Sequence, residues 1–294
     1  MTDETPAIVL KRYSGFYYVQ DPTGAILECK LRGKLKKSVV LTGDRVRVTV
    51  KSPGEGMIEE ILPRTNELTR PPIANVDCMM IVVSYSHPSP SMNFLDRLLV
   101  HARHLDLDPL IVMNKADLSP TPEAEEVLRV YQTVGYPVYL TSARTGQGIQ
   151  ALLDALKGRI AVQAGSSGVG KSSLMNRLID ADTMKTGEIS SKLGRGKHTT
   201  RHVELIPLPV GGWLADAPGF SVLELPEMKR VDLAGVYREF DAFMGSCRFA
   251  DCIHAKEIEC GVKQAVETGE IPPERYKNYL AFLEILAEKE KTYR

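Results

Sequence analysis

The chain has 294 residues, of which 43% are hydrophobic, with 37 basic and 37 acidic side chains. This length favours two or three domains with buried cores, and the balanced charge restricts any nucleic-acid surface to a local patch. No apolar run approaches the ~18–20 residues that cross a bilayer, and the acidic, polar start at residues 1–6 is not typical of a signal peptide. We therefore expect a cytoplasmic protein, monomeric and without a membrane partner.

The first 70 residues are typical of short β-strands, at 7–10, 15–19, 25–30 and 45–50, separated by Pro, Gly and Asp. Strands of this length and spacing predict a small barrel of the OB type. Residues 30–37 add five cations. That stretch is equally consistent with a solvated loop and with an RNA-binding loop beside exposed aromatic side chains.

Strands and helices alternate after a Pro-rich stretch at 62–72, which resembles a linker. We predict strands at 78–84, 109–113, 137–140 and 160–163, and helices at 94–104, 123–134, 149–156 and 172–179. This alternation predicts an α/β domain with a parallel sheet. Beyond residue 223 the chain is predicted to be helical, with an amphipathic helix at 276–288. The predicted domains are 1–70, 71–222 and 223–294.

A phosphate-binding loop is predicted between the strand at 160–163 and the helix at 172–179, where the sequence matches G-x-x-x-x-G-K-S. Its glycines let backbone N–H groups point at phosphate oxygens, and the helix N-terminus adds partial positive charge. Lys171 would reach the β- and γ-phosphates, and the Ser172 hydroxyl would bind Mg²⁺. The predicted phosphate-binding residues are Gly165, Ser166, Ser167, Gly168, Val169, Gly170, Lys171, Ser172 and Ser173.

Asn114, Lys115 and Asp117 form an N-K-x-D motif at the end of a predicted strand. The Asp117 carboxylate can accept two hydrogen bonds from guanine N1–H and the 2-amino group, a pair that adenine lacks. One helix and one strand later, Ser142 and Ala143 lie in a T-S-A segment that would contact the same base. Together these motifs predict GTP rather than ATP as the nucleotide.

Two segments after the phosphate loop are candidate switches. Asp216, which would hold the Mg²⁺ shell through water, and Gly219, which would sense the γ-phosphate, end a strand that begins at residue 213. In the earlier, basic and Gly-rich stretch 194–201, either of the paired threonines could complete the Mg²⁺ shell, and Thr200 is preferred over Thr199.

Phe220 occupies the position where Ras-like GTPases orient the attacking water with glutamine. A phenyl ring cannot hydrogen-bond to water, so intrinsic hydrolysis should be slow. His198 is the nearest candidate for the missing catalytic group, and a surface histidine without a catalytic role is the competing interpretation.

The remaining chemistry-bearing residues are cysteines. Cys29 and Cys78 stand alone and are predicted to be small core residues. Cys247, Cys252, His254 and Cys260 cluster, and in a reducing compartment they predict a closed, tetrahedral Zn²⁺ site. Buried thiols beside an unrelated histidine are the alternative. A site with four protein ligands leaves no position for water, which makes a zinc-dependent hydrolase unfavourable.

The base-reading motifs precede the phosphate loop, whereas in Ras-like GTPases they follow it. This permuted order, together with G-R-G-K-H-T-T-R at 194–201, D-A-P-G-F at 216–220 and the Cys/His cluster, resembles the circularly permuted RsgA family along the whole chain. One departure is Ala217, where many relatives have threonine. The resemblance implies an N-terminal OB-fold, a central permuted P-loop GTPase domain and a C-terminal helical zinc domain. It also supports His198 as the catalytic candidate.

The function that this resemblance implies is GTP hydrolysis to GDP and phosphate, stimulated by the 30S ribosomal subunit, during late maturation of that subunit. The expected partners are the 30S subunit with its 16S rRNA, and the expected cofactors are one structural Zn²⁺ and the Mg²⁺ that accompanies GTP. A non-catalytic, nucleotide-gated RNA-binding scaffold is the alternative.

Overall fold

The computed structural model describes residues 4–35, 37–69, 71–180, 203–220 and 224–292, with the backbone alone at 217–220 and 292. The N-terminal part is a closed five-stranded barrel with strand order β1-β2-β3-β5-β4. Its strands are β1 (Thr5–Tyr13), β2 (Phe16–Gln20), β3 (Ile26–Leu31), β4 (Arg45–Ser52) and β5 (Glu55–Ile61). The predicted OB-like barrel is therefore confirmed.

Alternating burial explains why these strands close on themselves. Over the first four residues of β4, Val46 and Val48 point inward and are fully buried, whereas Arg45 and Arg47 are exposed. Four of the strand pairs in the barrel are antiparallel, and a parallel pair between β3 and β5 completes the closure. Cys29 lies in the barrel core, as predicted.

The Pro-rich stretch predicted as a linker contains secondary structure. β6 (Glu67–Thr69) and β7 (Pro72–Ala74) pair as a two-stranded antiparallel sheet. Before them, the Arg64 guanidinium donates hydrogen bonds to both carboxylate oxygens of buried Asp44, at 2.7 and 2.9 Å. A charge-assisted, bidentate pair of this kind fixes the segment against the barrel, so the stretch that resembles a linker in sequence carries ordered structure.

The second large sheet has six strands in the order β10-β9-β8-β11-β13-β12. The strands are β8 (Cys78–Ser84), β9 (Asp108–Asn114), β10 (Val138–Leu140), β11 (Ile160–Ala164), β12 (Glu204–Pro207) and β13 (Trp213–Phe220). The helices are α1 (Met92–His104), α2 (Pro122–Thr133), α3 (Ile149–Leu156) and α4 (Lys171–Ile179). Every residue of β8 is buried, as its continuous apolar sequence predicts.

The chain divides into two compact units, residues 1–78, 149–163 and 172–220, and residues 79–148, 164–171 and 221–294. Within the first unit, side chains join the barrel to the β12–β13 hairpin. Lys11 forms an ion pair of 2.8 Å with Glu204 on β12, and the Trp213 indole N–H donates to Gln20 at 2.8 Å. The Thr42 hydroxyl donates to the carbonyl of Val203 at 3.1 Å.

Within the second unit, the C-terminal helices pack on α1. They are α5 (Asp241–Met244), α6 (Gly261–Glu267) and α7 (Pro273–Thr292), preceded by 3-10 turns at Arg230–Asp232, Ala234–Val236 and Arg238–Phe240. Tyr237, Phe240, Tyr279 and Phe282 are fully buried among them. In the described ranges, no helix is long and apolar enough to span a membrane.

A buried ionic cluster fastens these helices to α1. Arg275 on α7 pairs with Asp96 on α1 and with Glu239, and its side chain is only 2% exposed. Tyr131 also donates to Asp96, and Asn278 donates to the other Asp96 oxygen at 2.6 Å. Buried charges are tolerated when they are paired and hydrogen-bonded, and in this cluster Arg275 is paired with both carboxylates.

Candidate functional site

The phosphate loop joins β11 to α4, the strand–loop–helix context that the motif requires. Gly165 has φ +144°, and a Cβ there would lie 2.2 Å from the Val82 carbonyl oxygen. At Gly170, with φ +93°, a Cβ would lie 2.4 Å from the Asn114 side-chain nitrogen. Both positions require glycine because the backbone conformation and the available space exclude a side chain.

Lys171 opens α4 and folds back over the loop. Its ammonium donates to the carbonyls of Gly165 and Ser166, at 2.9 and 2.7 Å. Burial lowers the pKa of Lys171, because desolvation disfavours the charged ammonium. Ser172 and Ser173 are exposed in the first turn of the same helix.

Asn114 connects the phosphate loop to the T-S-A segment, a role that the motif alone did not reveal. It ends β9 and is 2% exposed. Its amide nitrogen donates to the Val169 carbonyl at 3.0 Å, and its amide oxygen accepts from the Ala143 N–H at 3.1 Å. One side chain thereby fixes the phosphate loop relative to the T-S-A segment.

Lys115 braces the same loop from the other side. This residue adopts φ +68°, and its ammonium donates to the carbonyl of Gly168 at 2.8 Å and to that of His87 at 2.7 Å. A non-glycine residue with positive φ is uncommon and marks a constrained position. Asn114 and Lys115 thus hydrogen-bond to the phosphate loop, whereas Asp117 contacts Ser142 and Arg144.

The Asp117 carboxylate is held at both oxygens. Oδ1 accepts from the Ser142 hydroxyl at 2.6 Å, and Oδ2 accepts from Arg144 Nε at 2.8 Å. These contacts, led by the Ser142 hydrogen bond, lower the pKa of Asp117. The group is therefore a carboxylate at neutral pH and an acceptor for N–H donors.

The candidate switch residues are described only in part. Asp216 is exposed in the middle of β13, opposite Glu204 on β12, and the backbone of Gly219 and Phe220 continues the same strand to its end. His198, Thr199 and Thr200 lie outside the described residues. The structure thus brings together the phosphate loop, the N-K-x-D motif and the T-S-A segment.

The four residues predicted to bind a metal ion converge in space. The ligand atoms of Cys247, Cys252, His254 and Cys260 all lie within 4.8 Å of one another. His254 Nδ1 is 3.4 Å from the Sγ atoms of both Cys247 and Cys260, which are 3.8 Å apart. Tetrahedral coordination with bonds of ~2.3 Å to sulfur and ~2.0 Å to nitrogen places ligand atoms about 3.5–3.8 Å apart. The cluster therefore fits a four-coordinate metal ion.

The backbone around this cluster is held by residues that sequence reasoning missed. Tyr276 and Tyr279 on α7 donate to the carbonyls of His254 and Ile253, at 2.8 and 2.7 Å. The Glu257 carboxylate accepts from the N–H groups of Ile253 and Ala255. Only the helical periodicity of α7 was visible in the sequence. The contacts themselves are non-local, and they fix the ligand loop as outer-sphere residues fix metal sites.

Comparison with known proteins covers nearly the whole chain. The RsgA GTPase family model matches residues 61–226, and the RsgA N-terminal domain model matches residues 7–58. The small ribosomal subunit biogenesis GTPase RsgA of Carboxydothermus hydrogenoformans is 50% identical over 288 residues, which cover 97% of this chain and 99% of that protein. The protein of the same name from Moorella thermoacetica is 46% identical over 287 residues, covering 97% and 98%.

Two solved structures share the fold. YjeQ from Thermotoga maritima superposes with a TM-score of 0.83 at 38% identity, covering 97% of this chain and 99% of that one. YloQ, described as a circularly permuted GTPase, has a TM-score of 0.83 at 35% identity, covering 98% and 96%. The family models, the relatives and the permuted motif order agree: the chain belongs to the RsgA GTPase family.

Proposed function

We propose that this GTPase binds the small ribosomal subunit in the cytoplasm and assists its late maturation, hydrolysing GTP when that subunit is present. The observation that carries the nucleotide part is Asn114, which joins the phosphate loop to the base-reading segment through two hydrogen bonds. The subunit part is supported by the relatives, which are named small ribosomal subunit biogenesis GTPases. We further propose that the protein acts as a monomer and contacts 16S rRNA.

In the proposed reaction, Lys171 stabilises charge on the β- and γ-phosphates, beside the N–H groups of the loop and the N-terminus of α4. Ser172 and Thr200 would hold the Mg²⁺ that accompanies GTP, and Asp216 would contact its water shell. Bound Mg²⁺ supplies charge neutralisation on the phosphate oxygens. Asp117, with Ser142 and Ala143, selects guanine.

The attacking water requires a group other than residue 220. Phe220 carries no hydrogen-bonding atom on its side chain, so we propose His198 as the residue that orients water once the ribosomal partner is bound. This assignment accounts for a slow intrinsic rate and for stimulation by the partner. Removing one positioned catalytic group typically costs about 10²–10⁴-fold in rate.

The barrel offers a surface suited to RNA. On β1–β3 two cations lie over partly exposed aromatic rings, with Lys11 over Tyr18 and Lys30 over Phe16, at 5.5 and 5.0 Å. Exposed Tyr13 adds a further ring. In such a surface the cations bind phosphates and the aromatic rings stack on unpaired bases. This favours RNA binding over the interpretation of residues 30–37 as a solvated loop.

The permuted order connects the candidate switches to the modules that would hold the ribosome. Soon after Phe220 the chain reaches Glu224, whose carbonyl lies 2.7 Å from His101 on α1 and whose carboxylate pairs with Lys289 on α7. Before Phe220 in the chain, the β12–β13 hairpin contacts the barrel through Glu204 and Trp213. We propose that γ-phosphate loss changes the hairpin and this anchored segment together, and so loosens the grip on the subunit.

Steady-state phosphate release tests this function. With Mg²⁺ and GTP, purified 30S subunits should raise the rate at least about tenfold, because a partner that completes a GTPase site adds several orders of magnitude in known cases. Equal amounts of 50S subunits serve as the control and should change the rate little. The non-catalytic scaffold predicts instead nucleotide-dependent binding with no turnover under either condition.

We also propose that the metal held by the Cys/His cluster is a single structural Zn²⁺. Three thiolates and one imidazole in tetrahedral spacing are the ligand set that zinc prefers, and four protein ligands leave no site for water. The ion would stabilise the short helices around it rather than take part in hydrolysis.

Protein purified without chelators should therefore contain about one zinc per chain by mass spectrometry of metals. Cys252→Ser should lose most of that zinc and unfold at a lower temperature, since the metal supplies folding free energy to this segment. Cys29→Ala, which removes a buried thiol in the barrel, is the matched control and should keep its zinc. Zinc well below one equivalent in the wild type, or full retention in Cys252→Ser, would contradict the assignment.

A further inference from the structure

Arg144 immediately follows the T-S-A segment, and sequence reasoning assigned it no role. Its side chain is 76% exposed, while that of Asp117, its partner, is 10% exposed. The two residues lie 27 positions apart in the chain, so the contact links two separate loops. It places a guanidinium at the edge of the predicted base-reading carboxylate.

The two carboxylate oxygens of Asp117 accept hydrogen bonds from different donors. Ser142 donates to Oδ1, and Arg144 donates to Oδ2 through Nε. A carboxylate offers about four acceptor positions, two on each oxygen. These two contacts leave the carboxylate able to accept from another donor, while the plane of the group is fixed from both sides.

Stability does not explain this pair. An ion pair with one exposed partner contributes little to stability, because water screens the attraction and ordering the arginine costs entropy. A hydrogen bond to a charged acceptor still restricts its direction strongly. The contact is better suited to orienting the carboxylate than to holding the fold together.

We propose that Arg144 is a specificity-determining residue for guanine. By holding Oδ2 of Asp117, it directs the remaining acceptor positions of the carboxylate toward the N1–H and 2-amino donors of the base. This inference rests on the proposed role of Asp117. Arg144 acts through Asp117 and is thus a positioning residue, outside the set that acts on the phosphates.

Equilibrium binding of GDP and inosine diphosphate, which lacks the 2-amino group, tests the proposal. Arg144→Ala should weaken GDP binding by about tenfold, the size expected when the 2-amino group loses its hydrogen bond to the Asp117 carboxylate. Binding of inosine diphosphate, which makes no such bond, should weaken by less than about threefold. The preference for GDP over inosine diphosphate therefore falls. Arg144→Lys, which keeps the charge on a flexible chain, should restore part of that preference.

Arg129→Ala is the matched control, since Arg129 is an exposed arginine on α2 that lies 4.0 Å from Glu274. It should leave both affinities unchanged. Steady-state hydrolysis gives a second readout, in which Arg144→Ala raises KM for GTP while kcat with saturating 30S subunits stays within about twofold, as expected for lost uniform binding.

Two results would overturn the proposal. An unchanged preference in Arg144→Ala would show that the ion pair has no part in base recognition, and tighter GDP binding would show that Arg144 competes with the base. Comparison with ADP separates this failure from that of the parent function. A wild type that prefers GDP to ADP keeps the GTPase assignment whatever Arg144 does, whereas equal binding would remove both.

Discussion

Replacing Lys171 with alanine is expected to lower kcat/KM for GTP by about 10²–10³-fold, the usual cost of losing one positioned donor in a preorganised site. The loss follows from position, because the ammonium lies over the loop within 2.7–2.9 Å of the Gly165 and Ser166 carbonyls. Phosphate release with 30S subunits present is the measurement. The basal rate alone is expected to be too slow for a sensitive comparison.

Lys157→Ala is the control for charge and for lysine loss, since Lys157 is exposed just after α3. It should hydrolyse GTP at the wild-type rate. If Lys171→Ala retained more than a third of wild-type activity while still folded, the phosphate loop would not be the site of catalysis.

Replacing Arg275 with methionine is expected to destabilise the protein by about 3–5 kcal/mol, because removing one partner of a buried ionic cluster leaves the remaining charges uncompensated. Here two carboxylates, Asp96 and Glu239, would lose their shared cation. Chemical denaturation followed by circular dichroism measures the change. Glu290→Ala removes the partner of the exposed Arg230 and should cost no more than ~1 kcal/mol.

The sign of the pH dependence gives this prediction a second check. Burial raises the pKa of Asp96, and Arg275 opposes that shift. Without Arg275 the folded-state pKa rises further above its unfolded value, so folding is favoured at low pH and penalised as pH rises through that pKa. The stability lost in Arg275→Met should therefore be smaller at pH 5 than at pH 8. Equal loss at both values would indicate a packing defect rather than an uncompensated charge.

Much of the fold was predictable because the signals are local. The buried strands β8, β9 and β11 are short, nearly continuous apolar runs, and the helices α1–α4 lie between such strands and turn residues in the sequence. β5 was missed because its sequence carries three glutamates. One of them, Glu59, is paired with Arg32, which lies 27 residues away, and no local pattern reveals such a partner.

The candidate site likewise contains features that local sequence predicts and contacts that it does not. Motif spacing alone was enough to predict the phosphate loop, the base-reading role of Asp117 and the four Cys/His residues. The bridging bonds of Asn114, the Arg144 contact and the support from Tyr276 and Tyr279 depend on loops that are distant in sequence. The roles of the site residues, including His198 and Thr200, and the three domain boundaries are still predictions.

The central claim is that this GTPase acts on the small ribosomal subunit, and one comparison tests it most directly. Phosphate release from GTP is measured for the same purified protein with and without 30S subunits. The account predicts a slow rate alone and at least about a tenfold higher rate with 30S, as partner-completed GTPase sites show. An unchanged rate with active 30S subunits, in protein that still binds GTP, would contradict it.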